Sequence, residues 1–76
     1  MALERFDPAG SSAVATAAYD AARRELHITF TSGRAYVYLA VPPLIFEALK
    51  QAPSTGVFVN LVVKRFYKHR EAEPVR

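Results

Sequence analysis

Two tyrosines, Tyr36 and Tyr38, are separated by one residue in the stretch that follows Gly33. Side chains alternate between the two faces of an extended strand, so both rings must lie on the same face. Neighbouring aromatic rings on an exposed sheet face can stack successive nucleic-acid bases, a contact worth about 1–3 kcal/mol per base. The alternative is structural, with both rings covering hydrophobic surface and both hydroxyls bonded to backbone or water. The exposure of the rings decides between the two.

A second pattern is the run 64–70, which interleaves cations with aromatics and contains no acid, in the order Lys64, Arg65, Phe66, Tyr67, Lys68, His69 and Arg70. The rest of the chain has six Lys or Arg against seven Asp or Glu, so the net charge of +3 arises in this run. Four contacts to single-stranded phosphates would make affinity fall with salt with a logarithmic slope of about −3. Without a ligand, the run would be a solvated helix end whose charge complements the carbonyl dipole.

The candidate nucleic-acid-binding residues are therefore two tyrosines and five cations: Tyr36, Tyr38, Arg34, Lys64, Arg65, Lys68 and Arg70. No catalytic residue, cofactor or metal site is predicted, because His27 and His69 lie far apart in the sequence and no His/Asp/Glu group has metal-ligand spacing. A Gly-rich phosphate loop and a nucleophile elbow are also absent from the sequence. We expect a protein that is not an enzyme.

The tyrosines are positioned by a predicted hairpin. Residues 26–31 alternate apolar and polar, which indicates a half-buried strand, and residues 34–41 form the returning strand. A two-residue loop at Ser32-Gly33 would pair Thr29 with Tyr36, placing both tyrosines away from the core, with His27 and Arg34 beside them. A loop one residue longer, with Gly33 in a bulge, moves the tyrosines to the core face beside Ile28 and Leu26. The turn residues permit both registers.

Two helices are predicted after Pro42-Pro43. The first spans 44–52 and ends at Pro53, and Ser54 can cap a second from Thr55 to about Phe66. The valines of the second segment also suit a strand. We expect the core to be built mainly from the apolar faces of these elements, namely Leu26, Ile28, Phe30, Ile45, Leu49, Phe58, Leu61 and Val62. The tail from Glu71 onward is expected to fray.

The segment before the hairpin is ambiguous. Its alanines favour a helix from about Ser12 to Glu25, whereas Val14, Thr16 and Tyr19 suit a strand that ends in a turn at Asp20. Residues 1–10 are interpreted as a lead segment. The 76 residues contain no cysteine and predict one domain, 1–76. The longest apolar run, 35–46, is broken by prolines and falls short of the roughly 20 residues that cross a bilayer, so we expect a soluble cytoplasmic protein.

The ordered motifs resemble the KTSC domain, a short module found at the C-terminus of some lysyl-tRNA synthetases and as small stand-alone bacterial or phage proteins. The resemblance covers roughly residues 10–70. It rests on Ser11-Ser12, Tyr19-Asp20, the stretch 26–42 with its central Tyr-x-Tyr, the stretch 49–60 with Ser54, Gly56, Phe58 and Asn60, and Tyr67. The sequence departs from the usual pattern in the alanines of residues 13–18 and in Lys68, where a proline often stands.

The resemblance implies strands before the prolines and helices after them, which favours a strand at 12–20. The predicted fold is therefore α+β: a three-stranded antiparallel sheet with two C-terminal helices packed on one face. The family has no established activity, and its synthetase context suggests RNA binding. We accordingly expect a small binding module for single-stranded or transfer RNA. The alternative is a protein-interaction or self-association module in which the tyrosines are structural.

Overall fold

An antiparallel sheet forms the frame of this chain, and its five strands lie side by side in the order of the sequence. The computed structural model describes residues 3–8 and 10–72. The strands are β1 (Glu4–Phe6), β2 (Val14–Asp20), β3 (Glu25–Phe30), β4 (Ala35–Tyr38) and β5 (His69–Ala72). The helices are α1 (Pro43–Gln51), α2 (Thr55–Phe58) and α3 (Lys64–Phe66), the last two joined by a π-helical segment (Val59–Val63).

The α+β class is confirmed, but the prediction of a three-stranded sheet was wrong, because the described residues form a sheet of five strands. β1 has only three residues and lies in the segment interpreted as a lead. β5 has the sequence His-Arg-Glu-Ala, which carries no apolar alternation, and it pairs with β4 from Ala35 to Tyr38. Glu71 and Ala72 are therefore strand residues rather than a frayed tail, and the remainder of that tail, residues 73–76, lies outside the described residues.

The hairpin of β3 and β4 adopts the longer loop. Leu26 lies opposite Tyr38 and Ile28 opposite Tyr36. Gly33 has a φ of +97° and its N–H donates to the Phe30 carbonyl at 2.9 Å. Glycine populates positive φ without a steric penalty, so this residue allows the extra turn position. Of the two registers that the turn residues permit, the structure has the one that carries the tyrosines to the core face.

The segment that propensity assigned to a helix is a strand, as the resemblance implied. β2 pairs with β1 on one side and β3 on the other, so its backbone groups are satisfied by two neighbours. Its inward residues Val14, Ala17 and Tyr19 are buried. The Tyr19 hydroxyl donates to the buried Val41 carbonyl, which fixes the strand to the chain that enters α1. Tertiary pairing and burial thus override the helix preference of alanine.

Both helical segments occur where the sequence placed them, and they cover one face of the sheet. Phe46 and Leu49 of α1 join Leu26, Ile28 and Tyr38 of the sheet in one buried cluster. The Ser54 Oγ accepts from the Val57 N–H at 3.3 Å and caps the second helix. No helix in residues 3–8 or 10–72 is both long and apolar enough to cross a membrane.

The second helix buries a different face from the predicted one. Val59 and Val63 are fully buried, whereas Leu61 is 57% exposed and Val62 only partly buried. The buried residues of this helix, Thr55, Val59 and Val63, are spaced by four and therefore share one side, whereas Leu61 lies two residues from either valine and faces the other way. A π-helical turn begins at Val59, where the Lys64 N–H bonds to the Val59 carbonyl five residues earlier. Leu61 and Val62 were therefore wrongly placed in the core, while Leu26, Ile28 and Leu49 are confirmed.

The remaining predicted core residues, Phe30, Ile45 and Phe58, are partly buried and pack against the cluster. Its larger members that the sequence did not single out include two aromatics in contact, Tyr19 and Phe46, whose rings stack with centroids 5.2 Å apart. The aromatic part of the core is therefore built from tyrosine as much as from phenylalanine.

Candidate nucleic-acid interface

The two tyrosines share a face, as predicted, but they differ in exposure. Tyr38 is only 1% exposed, whereas Tyr36 is partly exposed near the rim of the sheet. Burial raises the pKa of the Tyr38 phenol, and neighbouring Tyr36 raises it further. Because its ring is enclosed by the core, Tyr38 has no free face for a base. The pair therefore does not form the two-ring stacking platform, and Tyr36 alone reaches the surface.

Tyr36 lies between two other aromatic rings that come from the adjacent strands. Its centroid is 5.8 Å from Phe30 on β3 at an interplanar angle of 67°. On the other side it is 5.1 Å from the ring of His69 on β5, at 85°. Both contacts are edge-to-face arrangements of the kind that aromatic rings favour. Phe30, Tyr36 and His69 thus form a diagonal row across three strands.

His69 is the residue that sequence reasoning missed. It lies opposite Tyr38, and its ring centroid is 5.4 Å from that of Tyr38, while the side chain itself is exposed. The spacing from Tyr67 to His69 to Glu71 is a period of two and was the available signal. Because the run 64–70 was interpreted as the charged end of a helix, this alternation was not taken as evidence for a strand.

Two of the five predicted cations lie beside Tyr36. The Lys64 Nζ is 4.9 Å from the centre of the Phe30 ring, within the range of a cation–π contact. Arg34 donates from Nη1 to the Tyr36 hydroxyl at 3.5 Å, and the same nitrogen is 4.0 Å from a Glu71 carboxylate oxygen. This hydrogen bond, followed by the charges of Tyr36 and Glu71, raises the pKa of Arg34.

The other cations of the basic run point elsewhere. Arg65 and Lys68 are exposed, and neither of them lines a hollow beside Tyr36. Arg70 follows His69 in β5, so its side chain lies on the opposite face of the sheet, next to Val37. There its Nη2 is 3.6 Å from a Glu25 carboxylate oxygen. The run is thus divided between a helix end, a loop and the two faces of a strand.

His27 also lies on that opposite face, whereas it would have flanked the tyrosines with the two-residue loop. It pairs with Val37 across β3 and β4, and its Nε2 is 3.8 Å from the Glu25 carboxylate. The register is the reason, because the longer loop exchanges the faces of the two strands relative to each other. Arg34, by contrast, alternates onto the same face as Tyr36 and contacts it.

Two shallow hollows flank the Tyr36 ring. The first, of about 320 Å³, is lined by Phe30, Thr31, Ser32, Arg34, Tyr36 and Lys64, with Ala13 beneath. The second, of about 260 Å³, is lined by Tyr36, Tyr38, Lys64 and His69. Tyr36 and Lys64 belong to both. We call this surface, defined by Phe30, Arg34, Tyr36, Lys64 and His69, the Tyr36 groove.

The chemistry of the Tyr36 groove suits a ligand that has both a flat ring and negative charge. Three aromatic side chains offer stacking or edge contacts, and two cations can neutralise phosphate or carboxylate. Within residues 3–8 and 10–72, no three His, Asp or Glu side chains come together as a metal-binding cluster.

A somewhat larger hollow, of about 330 Å³, lies between the loop that follows β1 and the junction of the helices. Its lysine, Lys50, is 2.6 Å from a Glu4 carboxylate oxygen and 3.1 Å from one of Glu47. These two carboxylates compensate the ammonium charge, so this hollow lacks the excess positive charge of the Tyr36 groove.

The helical layer carries an apolar surface of its own. Val57 is 54% and Leu61 57% exposed, and with partly buried Phe58 and Val62 they border a hollow of about 290 Å³ beside Pro53. We call Val57, Phe58, Leu61 and Val62 the apolar helix stripe. It contains three residues that the sequence assigned to the core, Phe58, Leu61 and Val62.

The fold and the groove define a small α+β domain with a five-stranded meander, helices on one face and an aromatic, basic groove at the rim. The family model of the KTSC domain matches residues 10–67. The chain therefore belongs to the KTSC domain family, as the order of its motifs indicated.

Solved and curated relatives agree with this membership. The crystal structure of a KTSC domain protein from Yersinia pestis superposes with a TM-score of 0.85 at 31% identity, covering 93% of this chain and 99% of that one. An otherwise undescribed protein from Tsukamurella paurometabola is 49% identical over 59 residues, which is 78% of this chain and 88% of the relative.

A third relative is a much longer protein. A lysine–tRNA ligase from Nostoc punctiforme is 34% identical over 71 residues, which is 93% of this chain but only 12% of the ligase. The similarity is therefore to a small part of that enzyme.

Proposed function

We propose that this protein is a non-catalytic module that binds single-stranded RNA in the Tyr36 groove. The observation that carries the proposal is the position of the partly exposed Tyr36 ring between Phe30 and His69, with Lys64 and Arg34 beside it. Every base has a flat face, so such a surface binds bases without requiring a particular sequence. The two cations would contact the phosphates of the same strand.

The charge around the groove favours a nucleic acid over a neutral aromatic ligand. Among the described residues Lys64 has no carboxylate within 4.0 Å, so its ammonium is available to a phosphate. Arg34 is 70% exposed and its pairing with Glu71 is at the 4.0 Å limit, which a phosphate could replace at small cost. RNA rather than DNA is favoured by the similarity to a lysine–tRNA ligase, an enzyme whose substrate is an RNA.

The proposal is tested by titrating a fluorescent single-stranded RNA of about 12 nucleotides and following its anisotropy at low salt. Loss of one stacked base in Tyr36→Ala should weaken binding by about 5-fold to 150-fold. Phe66→Ala is the matched control, because Phe66 is a 70% exposed aromatic that lines neither hollow, and it should bind as the wild type does. No binding by the wild type, or an equal loss in both variants, would contradict the proposal.

A second candidate function is self-association or protein binding through the apolar helix stripe. It is favoured by one observation, the exposure of Val57 and Leu61 on either side of an apolar hollow. Sedimentation of the wild type over a wide concentration range tests the self-association form. A dimer that Leu61→Lys converts to a monomer would support it, and a wild-type monomer at the highest concentration would exclude it. A partner recovered from nuclease-treated lysate would favour protein over RNA.

A further inference from the structure

We propose that the Tyr36 groove accommodates two adjacent nucleotides, with the phosphate that joins them bound by Lys64. This inference rests on the proposed function and adds the length and polarity of the ligand.

Each hollow has an aromatic wall in addition to Tyr36. Phe30 lines the first hollow and His69 the second, on opposite sides of the Tyr36 ring at centroid distances of 5.8 and 5.1 Å. A base in either hollow would therefore contact two rings, one of them Tyr36. Two bases, one in each hollow, would lie against the row that the three side chains form, because the rings themselves are in contact with one another.

Lys64 is the only cation that lines both hollows among the described residues. In a dinucleotide the single bridging phosphate lies between the two bases, which is the position that Lys64 occupies relative to the hollows. Its Nζ lies over the Phe30 ring, 4.9 Å from the ring centre, and the side chain is exposed, so the ammonium is accessible to a phosphate. The bridging phosphate is thus matched by one cation at the shared boundary.

The ends of the groove define the length of the footprint. Arg34 lines only the first hollow, so one flanking phosphate can be bound on that side. On the other side, Lys64 is the only Lys or Arg among the described residues that line the second hollow, and Arg70 of β5 lies on the opposite face of the sheet, paired with Glu25. The two hollows therefore offer places for two bases, with Lys64 shared between them and Arg34 at one end.

A length series tests this directly. Uridine, the dinucleoside monophosphate UpU, the trinucleotide UpUpU and longer oligouridylates are compared as competitors of the labelled 12-nucleotide strand at fixed low salt. UpU should bind at least fivefold more tightly than uridine, because it adds a stacked base and a phosphate. UpUpU should gain no more than the small factor from Arg34 and from the additional binding register.

Lys64→Gln identifies the residue that binds the bridging phosphate, and Arg65→Gln is its charge-matched neighbour on α3. UpU carries only that phosphate, so added salt should weaken its binding in the wild type and in Arg65→Gln by screening a single ion pair. In Lys64→Gln the dependence of UpU affinity on salt, plotted as a slope, should approach zero. Equal slopes in the two variants would contradict the role of Lys64.

The two proposals fail in different ways. If the 12-nucleotide strand binds but affinity grows steadily with every added nucleotide, or does not change between uridine and UpU, the two-nucleotide footprint is wrong while RNA binding stands. If the 12-nucleotide strand does not bind at low salt, both are wrong.

Discussion

At the scale of single residues, Tyr36 and Tyr38 show why spacing alone cannot assign function. Their alternation correctly predicts a common face, but burial depends on what covers each point of that face. The core encloses Tyr38, whereas Tyr36 lies two residues earlier in β4, nearer the hairpin loop, and is only partly buried. Tyr38 belongs to the buried cluster that includes Phe46 and Val59, residues that the local sequence around position 36 does not contain. The same motif thus contributes one core residue and one surface residue.

The two tyrosines should therefore respond differently to truncation. Tyr38→Ala should lower the free energy of unfolding by about 3–5 kcal/mol, as for other large buried aromatics, because it leaves a cavity in the core. Tyr36→Ala should cost clearly less, because its ring is partly exposed. Urea unfolding followed by circular dichroism measures both. Equal losses would show that the rings are equally buried.

The buried phenols also predict a loss of stability at alkaline pH. Burial raises the pKa of Tyr19 and of Tyr38 above the ordinary value of 10.0. The unfolded chain then releases these protons first, so the contribution is complete below pH 10.0 and is lost as the pH rises through the folded-state values. Tyr38→Phe should make the alkaline slope of the unfolding free energy shallower. An unchanged slope would contradict the assignment to this phenol.

At the scale of elements, the sequence predicts those helices and strands whose signals lie within their own residues. The alternation of residues 26–31 and the prolines around α1 gave β3 and α1 close to their observed bounds. β2 could not be derived from propensity, because its conformation is imposed by pairing with β1 and β3. Neither could the π-helical segment, whose Val59 to Lys64 hydrogen bond leaves no signature in hydrophobic spacing. Lys64, which lines the Tyr36 groove, directly follows that segment.

The burial of Val63 and the exposure of Leu61 in the second helical segment predict different effects on stability. Val63→Ala removes two buried methyl groups and should lower the free energy of unfolding by about 2 kcal/mol. Leu61→Ala removes a larger but 57% exposed side chain and should change it by no more than about 0.5 kcal/mol. Chemical unfolding of the two variants side by side is the measurement. A larger loss in Leu61→Ala would mean that the helix buries the side carrying Leu61, as the sequence predicted.

At the scale of the whole molecule, the sheet sorts the charges. The run 64–70 is compact in sequence, but its four cations lie on α3, in the loop that follows it and on one face of β5. Composition could predict that this end of the chain is basic and aromatic. It could not predict that Lys64 and Arg34 meet at one groove while Arg70 pairs with Glu25 on the other side. The candidate site is thus a subset of the predicted residues plus Phe30 and His69.

This sorting changes the expected salt dependence. If all four cations of the run contacted phosphates, the logarithmic slope would be about −3, whereas Lys64 and Arg34 alone give about −1.4. Affinities of the 12-nucleotide strand measured between about 50 and 200 mM salt distinguish the two values. A slope near −3 would mean that Arg65, Lys68 and Arg70 contribute as much as the groove does.

The most direct test of the central claim is to record amide and aromatic resonances of the labelled protein while single-stranded RNA is added. If RNA binds in the Tyr36 groove, the largest chemical-shift changes are expected at Phe30, Arg34, Tyr36, Lys64 and His69. Little change is expected at the apolar helix stripe or at His27 and Arg70. Absence of change at saturating RNA, or changes concentrated on either of those other surfaces, would contradict this claim.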